Sequence, residues 1–339
     1  MNTPGTRVSA QAQPNIALIK YWGKRDAGLN IPAAGSLSVT LDALHTRTEV
    51  SFNPALDSDE VVFNGRHGAA QSARISVFLD LLRARASRDW RAIVVTDNDF
   101  PTAAGLASSA SGFAALALAA SRALGLALDA PALSALARRG SGSAARSIFG
   151  GFVEMQAGQR ADGEDAVAAP LLEPQAWPLR VVIAVTTRAA KDLGSSAGME
   201  LSRRSSPFYS SWIDAGADDL ADAHAAVLTH DFEKLAVVSE ASCLKMHAVM
   251  LSSRPGLMYW NAATVECLQC VRALREGEGL GVFFTVDAGP QVKAVCLPEA
   301  VPQVTAALGA VRGVKEVLVS ALGAGARLLA PNPECPDAH

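Results

Sequence analysis

The chain has 339 residues, of which half are hydrophobic and 19% are charged, a balance that is typical of a folded globular protein and excludes a disordered one. This length exceeds what one hydrophobic core usually serves, so we expect two domains. The formal net charge of −3 argues against a nucleic-acid binder, which would have a basic excess.

The amino-terminal segment and the cysteines favour a cytoplasmic protein with no membrane partner. The first residues lack the pattern of a secretory signal, and the longest apolar stretch, 113–120, is too short to cross a bilayer. Five cysteines in a chain of this length do not make a disulfide framework. Cys267 and Cys270 form a CxxC, but the surrounding pattern predicts a helix on which they share a face, which favours packing over a metal or redox site.

The first part of the chain mixes strand and helix patterns. Alternation and β-branched residues predict strands over 7–11, 36–41, 46–52, 60–63 and 91–96. Apolar periodicity predicts helices over 69–86, from near 108 to 125, and from 129 to 140. Asp129 is expected to cap the third helix, with Pro131 in its first turn.

The second part follows an irregular segment, 156–178, whose glycines and prolines are typical of a domain boundary. Beyond it the patterns predict a buried strand over 179–187, helices over 214–229, 232–251, 260–276 and 301–311, and strands over 282–286, 293–297 and 316–322. Segment 202–212 has two interpretations, a mobile basic and aromatic flap or an ordinary connection between helices. Strands and helices in both parts predict an α+β protein of two domains, 1–176 and 177–331, with a disordered tail, 332–339.

The segment DFPTAAGLASSASGF, 99–113, combines a glycine turn with serines at the start of a helix. Gly105 allows a turn without a Cβ, and unsatisfied amide N–H groups at a helix start suit a phosphate. The hydroxyls of Ser108 and Ser109 can add hydrogen bonds and reach a magnesium ion. The loop is neither a Walker loop nor a dinucleotide fingerprint. On spacing alone, tight helix packing or a simple helix cap explains these residues equally well.

PTAAGLASSAS, 101–111, resembles the phosphate loop P-x-x-x-G-L-x-S-S-A of the GHMP small-molecule kinase superfamily. The resemblance implies ATP as co-substrate, Mg²⁺, and a two-domain GHMP-kinase-like fold with an S5-like amino-terminal domain and a ferredoxin-like carboxy-terminal domain. Ser108 and Ser109 are the implied magnesium ligands. The implied ATP contacts are Thr96, Asn98, Pro101, Gly105, Leu106, Ala107, Ser108 and Ser109, and Thr96 stands where a serine is common.

NIALIKYWGKRD, 15–26, places three cations beside two large aromatic residues. An exposed Tyr-Trp pair between lysines is unusual for a solvated turn, and lysines that are shielded from water suit a diphosphate. With LNIPAAGSLSVTL, 29–41, this segment resembles the signature of the diphosphomevalonate decarboxylase family. RRGSGSAARSIFGGF, KDLGSSAGM and VDAGP resemble further motifs of that family, in its order, so that the resemblance spans residues 15 to 290.

This resemblance implies phosphorylation of the 3-hydroxyl of (R)-5-diphosphomevalonate by ATP, followed by loss of phosphate and CO₂ to give isopentenyl diphosphate. Asp287 is the implied catalytic aspartate, as a general base or as an orienting group, although a turn-capping Asp before Gly would look the same locally. Lys20 is expected to lie near Asp287 and lower its pKa. Arg146 offers a planar fork for a carboxylate, with a surface helix arginine as the alternative.

Substrate contacts are implied for Asn15, Tyr21, Trp22, Lys24, Arg74, Ser141, Ser143 and Ser195. For Arg74 a solvated helix face is the alternative. Gly194 departs from the family pattern, which has a hydroxyl there, whereas Ser195 keeps the matched position.

Three alternative functions stay open. One is a superfamily kinase that phosphorylates mevalonate without decarboxylation, and another is a decarboxylase of phosphomevalonate. A third is a non-catalytic binding protein on the same scaffold. Retention of Lys20, Arg146 and Asp287 together argues against the kinase, and the cationic and hydroxyl positions favour the diphosphate over the monophosphate. The resemblance also implies a homodimer.

Overall fold

The computed structural model describes residues 3–100, 108–189 and 191–330. The strands described before residue 176 are β1 (Val8–Ala12), β2 (Asn15–Ile19), β3 (Lys24–Asp26), β4 (Ile31–Pro32), β5 (Ser36–Thr40), β6 (Thr46–Asn53), β7 (Glu60–Phe63), β8 (Arg91–Asn98), β9 (Phe152–Met155) and β10 (Ala168–Leu172). The helices there are α1 (Ala69–Ala86), α2 (Ser108–Ala123), α3 (Ala130–Gly140) and a 3₁₀ helix, Gly142–Ile148.

The rest of the described chain supplies a second set of elements. Its strands are β11 (Arg180–Val185), β12 (Val282–Val286), β13 (Val292–Cys296), β14 (Glu316–Ala321) and β15 (Arg327–Leu328). Its helices are α4 (Ser195–Ser205), α5 (Tyr209–Leu228), α6 (Phe232–Leu251), α7 (Ala262–Glu278), a 3₁₀ helix (Pro298–Ala300) and α8 (Val301–Ala310). None of the helices in the described ranges has the length and apolar character that a membrane span requires.

The strands form three main sheets. The first has the order β15-β1-β6-β8-β7, in which β7 and β8 are parallel and the other neighbours antiparallel. The second has the order β10-β9-β5-β2, and the third the order β12-β13-β11-β14; both are antiparallel. β3 and β4 form a small separate pair. The fold is therefore the predicted mixed α+β architecture, and β15 brings the end of the described chain back to β1.

Helix α2 is the centre of the first core. Its alanines, such as Ala114 and Ala117, are fully buried, and their small side chains let the helix lie close to β1 and β6. This packing fixes the start of α2, and with it Ser108 and Ser109, relative to the sheet.

A second core joins elements from both parts of the chain. It contains Ile16 and Leu18 of β2 together with Val181 of β11 and Phe283 of β12. Helix α6 packs against both β2 and β12. The carboxyl ends of β2 and β12 therefore meet, which brings the residues that follow them to one place.

Several elements differ from the sequence predictions. The bounds of β7, α1, α6 and β12 are as predicted, and most other predicted elements differ by one to three residues at their ends. The pattern missed β2, β3, β4, β9, β15 and α4, and placed the start of α5 too late. β10 lies in the segment predicted to be irregular, where Pro170 and a register shift before Leu172 obscure the strand pattern.

The flap interpretation of segment 202–212 is wrong. α4 continues to Ser205 and α5 starts at Tyr209, so that a short connection is left between them. Trp212 is 5% exposed, and its indole N–H donates a hydrogen bond to the carbonyl oxygen of Trp22 at 2.9 Å. The segment is a packed connection because the side chain of Trp212 lies in the hydrophobic cluster beneath the site, although Phe208 is exposed.

The remaining predictions concern the CxxC cysteines, the domain boundary, and the tail and phosphate loop. Cys267 and Cys270 lie on α7 as free thiols, and burial raises the pKa of Cys267 to about 12, which supports the packing interpretation. The domain boundary at 176/177 stays a prediction. The tail and the loop residues Pro101, Gly105, Leu106 and Ala107 lie outside the described residues.

Candidate active site

A cleft of about 1060 Å³ is lined by residues from both parts of the chain. Lys20, Arg146 and Asp287, predicted to be catalytic, all line it. So do all the predicted substrate contacts, namely Asn15, Tyr21, Trp22, Lys24, Arg74, Ser141, Ser143 and Ser195. Residues that are far apart in the sequence thus share one cavity, as the resemblance implies.

Two lysines hold the carboxylate of Asp287. Lys20 Nζ lies 2.7 Å from Oδ1, and Lys293 Nζ lies 3.2 Å from Oδ2. The side chains of both lysines are 1% exposed, whereas that of Asp287 is 24% exposed and opens to the cleft. Burial opposes ionisation of Asp287, but the two ammonium groups outweigh it and hold the carboxyl pKa well below its usual range.

Helix α6 aligns the strand ends that bear these groups. The backbone N–H of Lys20 donates to Ser242 Oγ at 3.0 Å, and that of Val286 donates to Cys243 Sγ at 3.2 Å. Thr285 Oγ1, on β12, also donates to a carbonyl of β2 at 3.1 Å. Neighbouring residues of one helix therefore hold the end of β2 and the end of β12, which sets the distance between Lys20 and Asp287.

Arg146 lies in the 3₁₀ helix that follows α3 and is 2% exposed. Its Nε donates to Asn15 Oδ1 at 3.2 Å, and its Nη1 donates to Ser36 Oγ at 2.8 Å. Burial lowers the pKa of its guanidinium to about 10, although Tyr21 and Asp287 oppose this shift. The surface-arginine alternative is wrong, because Arg146 is a buried cation whose neutral partners leave its charge to act on the cleft.

The hydroxyl of Tyr21 is buried and has no hydrogen-bond partner in the described part of the protein. Burial raises the pKa of Tyr21 to about 12, so the group remains a hydrogen-bond donor at neutral pH. Gly142 lies directly against it: a Cβ at this position would be 2.2 Å from the Tyr21 oxygen. The glycine therefore makes the room in which this hydroxyl faces the cleft.

Trp22 contributes to the floor of the cleft. It is 3% exposed, and its indole N–H donates to Ser202 Oγ at 3.0 Å. Its ring packs with Met199 and Trp212 in a cluster beneath the cavity. The indole N–H already has a protein partner, so Trp22 contributes apolar surface rather than polar recognition.

Two cations, Lys24 and Arg74, line the cleft together with the hydroxyl of Ser196. Lys24 Nζ donates to Ser196 Oγ at 3.0 Å, and burial together with the charge of Arg74 lowers the pKa of Lys24. Arg74 donates to the carbonyl oxygen of Gly140 at 2.7 Å and stacks 4.5 Å above the ring of Phe113. Arg74 thus lines the cleft, although it is an exposed residue of α1.

The predicted serines connect this part of the cleft to the start of α2. The Oγ of Ser141 lies 3.3 Å from that of Ser109 and 3.3 Å from that of Ser143. The same two hydroxyls, on Ser141 and Ser143, flank Gly142 and Tyr21. A ligand that contacts the serines would therefore lie beside the first turn of α2.

The sequence reasoning missed five polar side chains near the site. They are Asn30, Arg139, Lys191, Ser196 and Lys293. Lys191 Nζ donates to Ser195 Oγ at 2.7 Å and to the carbonyl oxygen of Ala288 at 3.0 Å. Burial lowers its pKa, with Asp287 opposing the shift. A signal was present for Lys293, since a lysine between valine and alanine in a predicted, mostly apolar strand is unusual.

The charges that line the cleft are strongly unbalanced. Among the described lining residues, the one acidic side chain is that of Asp287. The cationic ones are Lys20, Lys24, Arg74, Arg139, Arg146 and Lys191. Such a cavity concentrates anions and suits a ligand with several negative charges.

A smaller pocket of about 200 Å³ adjoins the cleft and shares Arg74, Ser108 and Ser109 with it. Thr96 lines this pocket with apolar side chains of α1 and α2, and its Oγ1 lies 2.8 Å from that of Thr48. Asn98, whose Oδ1 accepts a hydrogen bond from Thr46 at 2.6 Å, is not among the described residues that line either cavity.

The start of α2 fits a magnesium ion that is held mainly by phosphates. Ser108 and Ser109 present hydroxyl oxygens there, the hard ligands that Mg²⁺ prefers. No group of three or more histidine, cysteine or acidic side chains in the described ranges could form a metal site of its own. The residues present therefore fit an ion that arrives with a nucleotide.

Comparison with known proteins gives one family over most of the chain. Residues 12–168 match the family described as the diphosphomevalonate decarboxylase-like N-terminal domain, and residues 181–326 match the mevalonate 5-diphosphate decarboxylase C-terminal domain. The chain is 38% identical to the diphosphomevalonate decarboxylase of Candida albicans over 297 aligned residues. The alignment covers 83% of this chain and 82% of that protein.

Solved structures agree with this match. Mevalonate diphosphate decarboxylase from Staphylococcus aureus superposes with a TM-score of 0.90 at 40% identity, over 96% of this chain and 98% of that one. A structure of MDDEF in complex with MVAPP, AMPPCP and magnesium gives a TM-score of 0.89 at 38% identity, over 96% of this chain and 99% of that one. The family matches of both parts of the sequence and the superposition of the fold point to the same group of proteins. The chain belongs to the diphosphomevalonate decarboxylase family.

Proposed function

We propose that this enzyme converts (R)-5-diphosphomevalonate and ATP to isopentenyl diphosphate, ADP, phosphate and CO₂, in the mevalonate pathway of isoprenoid biosynthesis. The observation that carries the proposal is the ionised carboxylate of Asp287, which lies between Lys20 and Lys293. Among the described residues that line the cleft, it is the one acidic side chain, and the other charged ones are cations. Such a site can orient a hydroxyl within a cavity that binds two polyanions.

Asp287 orients the 3-hydroxyl for attack on the terminal phosphate of ATP. Its lowered pKa makes the carboxylate a weak base, so its main contributions are a hydrogen bond to the hydroxyl and stabilisation of charge as the proton leaves. Lys20 shares Oδ1 with the substrate and balances the negative charge there. Positioning of this kind dominates catalysis of phosphoryl transfer.

Arg146 binds the substrate carboxylate, and the hydroxyls and cations elsewhere bind its diphosphate. Once the 3-hydroxyl is phosphorylated, the C–O bond breaks with departure of phosphate, and the electron pair of the C–CO₂⁻ bond forms the new double bond. The proposed diphosphate contacts are Tyr21, Lys24, Arg74, Ser141 and Ser143, with Asn15 orienting Arg146 and Ser195 close to Lys191.

ATP binds with its phosphates at the start of α2 and its base beside Thr96. Mg²⁺, when bound, neutralises charge on the phosphate oxygens, and Ser108 and Ser109 would hold it. Asn98 and the loop residues Pro101, Gly105, Leu106 and Ala107 stay proposed ATP contacts. The relative described with MVAPP, AMPPCP and magnesium supports this assignment.

The kinase-only and monophosphate alternatives are not favoured, because the curated relatives are diphosphomevalonate decarboxylases. We also propose a homodimer in the cytoplasm and a domain boundary at 176/177. The free, buried thiols of Cys243, Cys267 and Cys296 are consistent with a reducing compartment.

The test is an assay of ADP, phosphate and CO₂ with mono- and diphosphorylated mevalonate side by side. We expect all three products from diphosphomevalonate, and a loss of roughly 10²- to 10⁴-fold in kcat for Asp287→Asn, because the hydroxyl loses its charged partner. Nucleotide binding should persist. Asp222→Asn is the matched control, since this aspartate also pairs with a lysine but is an exposed side chain on α5, outside the cleft.

Three outcomes would contradict the proposal. ADP without CO₂ would make the enzyme a kinase, and preference for the monophosphate would change the substrate. Full activity of Asp287→Asn would remove Asp287 from the mechanism.

A further inference from the structure

Lys293 is not among the described residues that line the cleft, yet its ammonium group reaches the catalytic carboxylate. It lies in the middle of β13, paired with Thr285 of β12 and Ile183 of β11. It is 1% exposed, and its strand neighbours are fully buried apolar residues. The sheet therefore holds this charge beneath Asp287 with little freedom to move.

A buried lysine lowers the stability of the fold unless its ammonium group is paired with a negative charge. Burial lowers the pKa of Lys293, and the carboxylate of Asp287 opposes that shift. A methionine of similar volume would fill the same space in β13 without the desolvation cost. The cost is offset because Lys293 gives Oδ2 a charged hydrogen-bond donor at 3.2 Å, while Lys20 gives one to Oδ1 at 2.7 Å.

Every element that faces Asp287 supplies a cation or a neutral group. The cations are Lys20 after β2, Lys293 on β13, Arg146 on the 3₁₀ helix and Lys191 before α4. On α6, burial and the charge of Lys20 lower the pKa of His247 to about 3, and burial raises the pKa of Cys243, so both are neutral near pH 7.

We propose that Lys293 is a positioning residue that binds Oδ2 from below and so fixes the carboxylate of Asp287 with Oδ1 turned to the substrate. Without it, Oδ2 loses its charged donor, and the carboxylate can rotate or take up a proton. This inference rests on the proposed function, since it assigns Asp287 to the reacting hydroxyl.

The experiment compares Lys293→Met and Lys293→Arg with the parent enzyme. For the Met variant we expect kcat to fall by about 10- to 100-fold, while KM for diphosphomevalonate changes little, because the reacting groups are misaligned but the diphosphate contacts remain. Loss of a cation raises the pKa of Asp287, and the ionised form is the active one, so the acid limb of the kcat profile should move to higher pH. Lys293→Arg, which keeps the charge, should leave that limb in place.

Lys245→Met is the matched control. Lys245 also pairs with an aspartate, Asp219, at 2.6 Å, but it lies outside the cleft. We expect its variant to keep the parent kcat and pH profile. Parent-like kcat and an unmoved acid limb in Lys293→Met would overturn the inference.

A double-mutant cycle separates positioning from a merely structural role. If Lys293 acts through Asp287, Lys293→Met should cause no further loss in an Asp287→Asn background, whereas an equal further loss would overturn the inference. The same cycle on unfolding midpoints tests the coupling without activity, and additive midpoints would overturn it too. Absence of CO₂ from the parent enzyme would instead refute the proposed function. Should the Met variant fail to fold, Lys293→Gln takes its place, and a parent-like kcat with an unmoved acid limb in that variant would overturn the inference.

Discussion

At the scale of single residues, the hydroxyl of Tyr21, which has no hydrogen-bond partner among the described residues, lies against Gly142. In Gly142→Ala the new Cβ would lie 2.2 Å from the Tyr21 oxygen, so the phenol must shift from its position. We expect KM for diphosphomevalonate to rise by roughly tenfold, with a smaller change in kcat, because a phosphate contact is displaced while the Lys20–Asp287 pair is not. Steady-state kinetics measure both parameters.

Gly277→Ala is the control for this substitution. Gly277 lies on α7, and a Cβ there would meet nothing within 4 Å. Its variant should have the parent KM and an equal or slightly greater free energy of unfolding, since alanine favours a helix. An unchanged KM in Gly142→Ala would show that Tyr21 does not bind the diphosphate.

Single site residues could be predicted from the sequence where they lie in a family motif. They could not be predicted where the pairing register of a sheet places a residue in the site. Lys20, Arg146 and Asp287 lie in segments that resemble family motifs, and the structure brings all three to one cleft. Lys293 reaches the same carboxylate because β13 pairs with β12 in a register that places it opposite Thr285. That register depends on long-range pairing, which local sequence patterns do not contain.

At the scale of elements, α6 is the support for both strand ends of the site. Ser242→Ala leaves the buried N–H of Lys20 without its acceptor, so we expect the free energy of unfolding to fall by about 1–3 kcal/mol and kcat to fall with it. Urea denaturation and the product assay measure the two effects. Ser239→Ala is the control, since Ser239 is equally buried on α6 but its hydroxyl has no partner in the described protein. Equal losses in the two variants would mean that Ser242 contributes only packing.

Different local features concealed the elements that sequence reasoning missed. β2 is buried at every position and lacks the alternation that marks a half-buried strand. β10 contains a proline and a register shift. α1 and α6 are long helices, and their bounds were predicted correctly. Complete burial alone did not conceal an element, since β12 is also buried at every position and its bounds were predicted correctly.

At the scale of the whole molecule, the two parts of the chain share a core. The cluster that contains Ile16 and Val39 from the first part also contains Val181 and Phe283 from the second. The end of the described chain adds a further link, because β15 pairs with β1 through Ala10 and Gln11. A division of the sequence near residue 176 would therefore not divide the molecule into two independent cores.

This shared core predicts one thermal transition, although proteins of this length often unfold in steps. In a calorimetric scan we expect a single peak, because neither part can unfold without exposing apolar surface of the other. An ATP analogue with Mg²⁺ and diphosphomevalonate should move that peak upward as a whole, with about 2.7 kcal/mol of added stability from each ligand at a hundredfold excess over its Kd. Scans at several protein concentrations distinguish stabilisation by dimer formation from stabilisation by ligands. A dimer that dissociates on unfolding has a midpoint that rises with protein concentration. Two resolved peaks at every concentration, of which ligands move only one, would contradict a shared core and would instead indicate domains that are stable on their own.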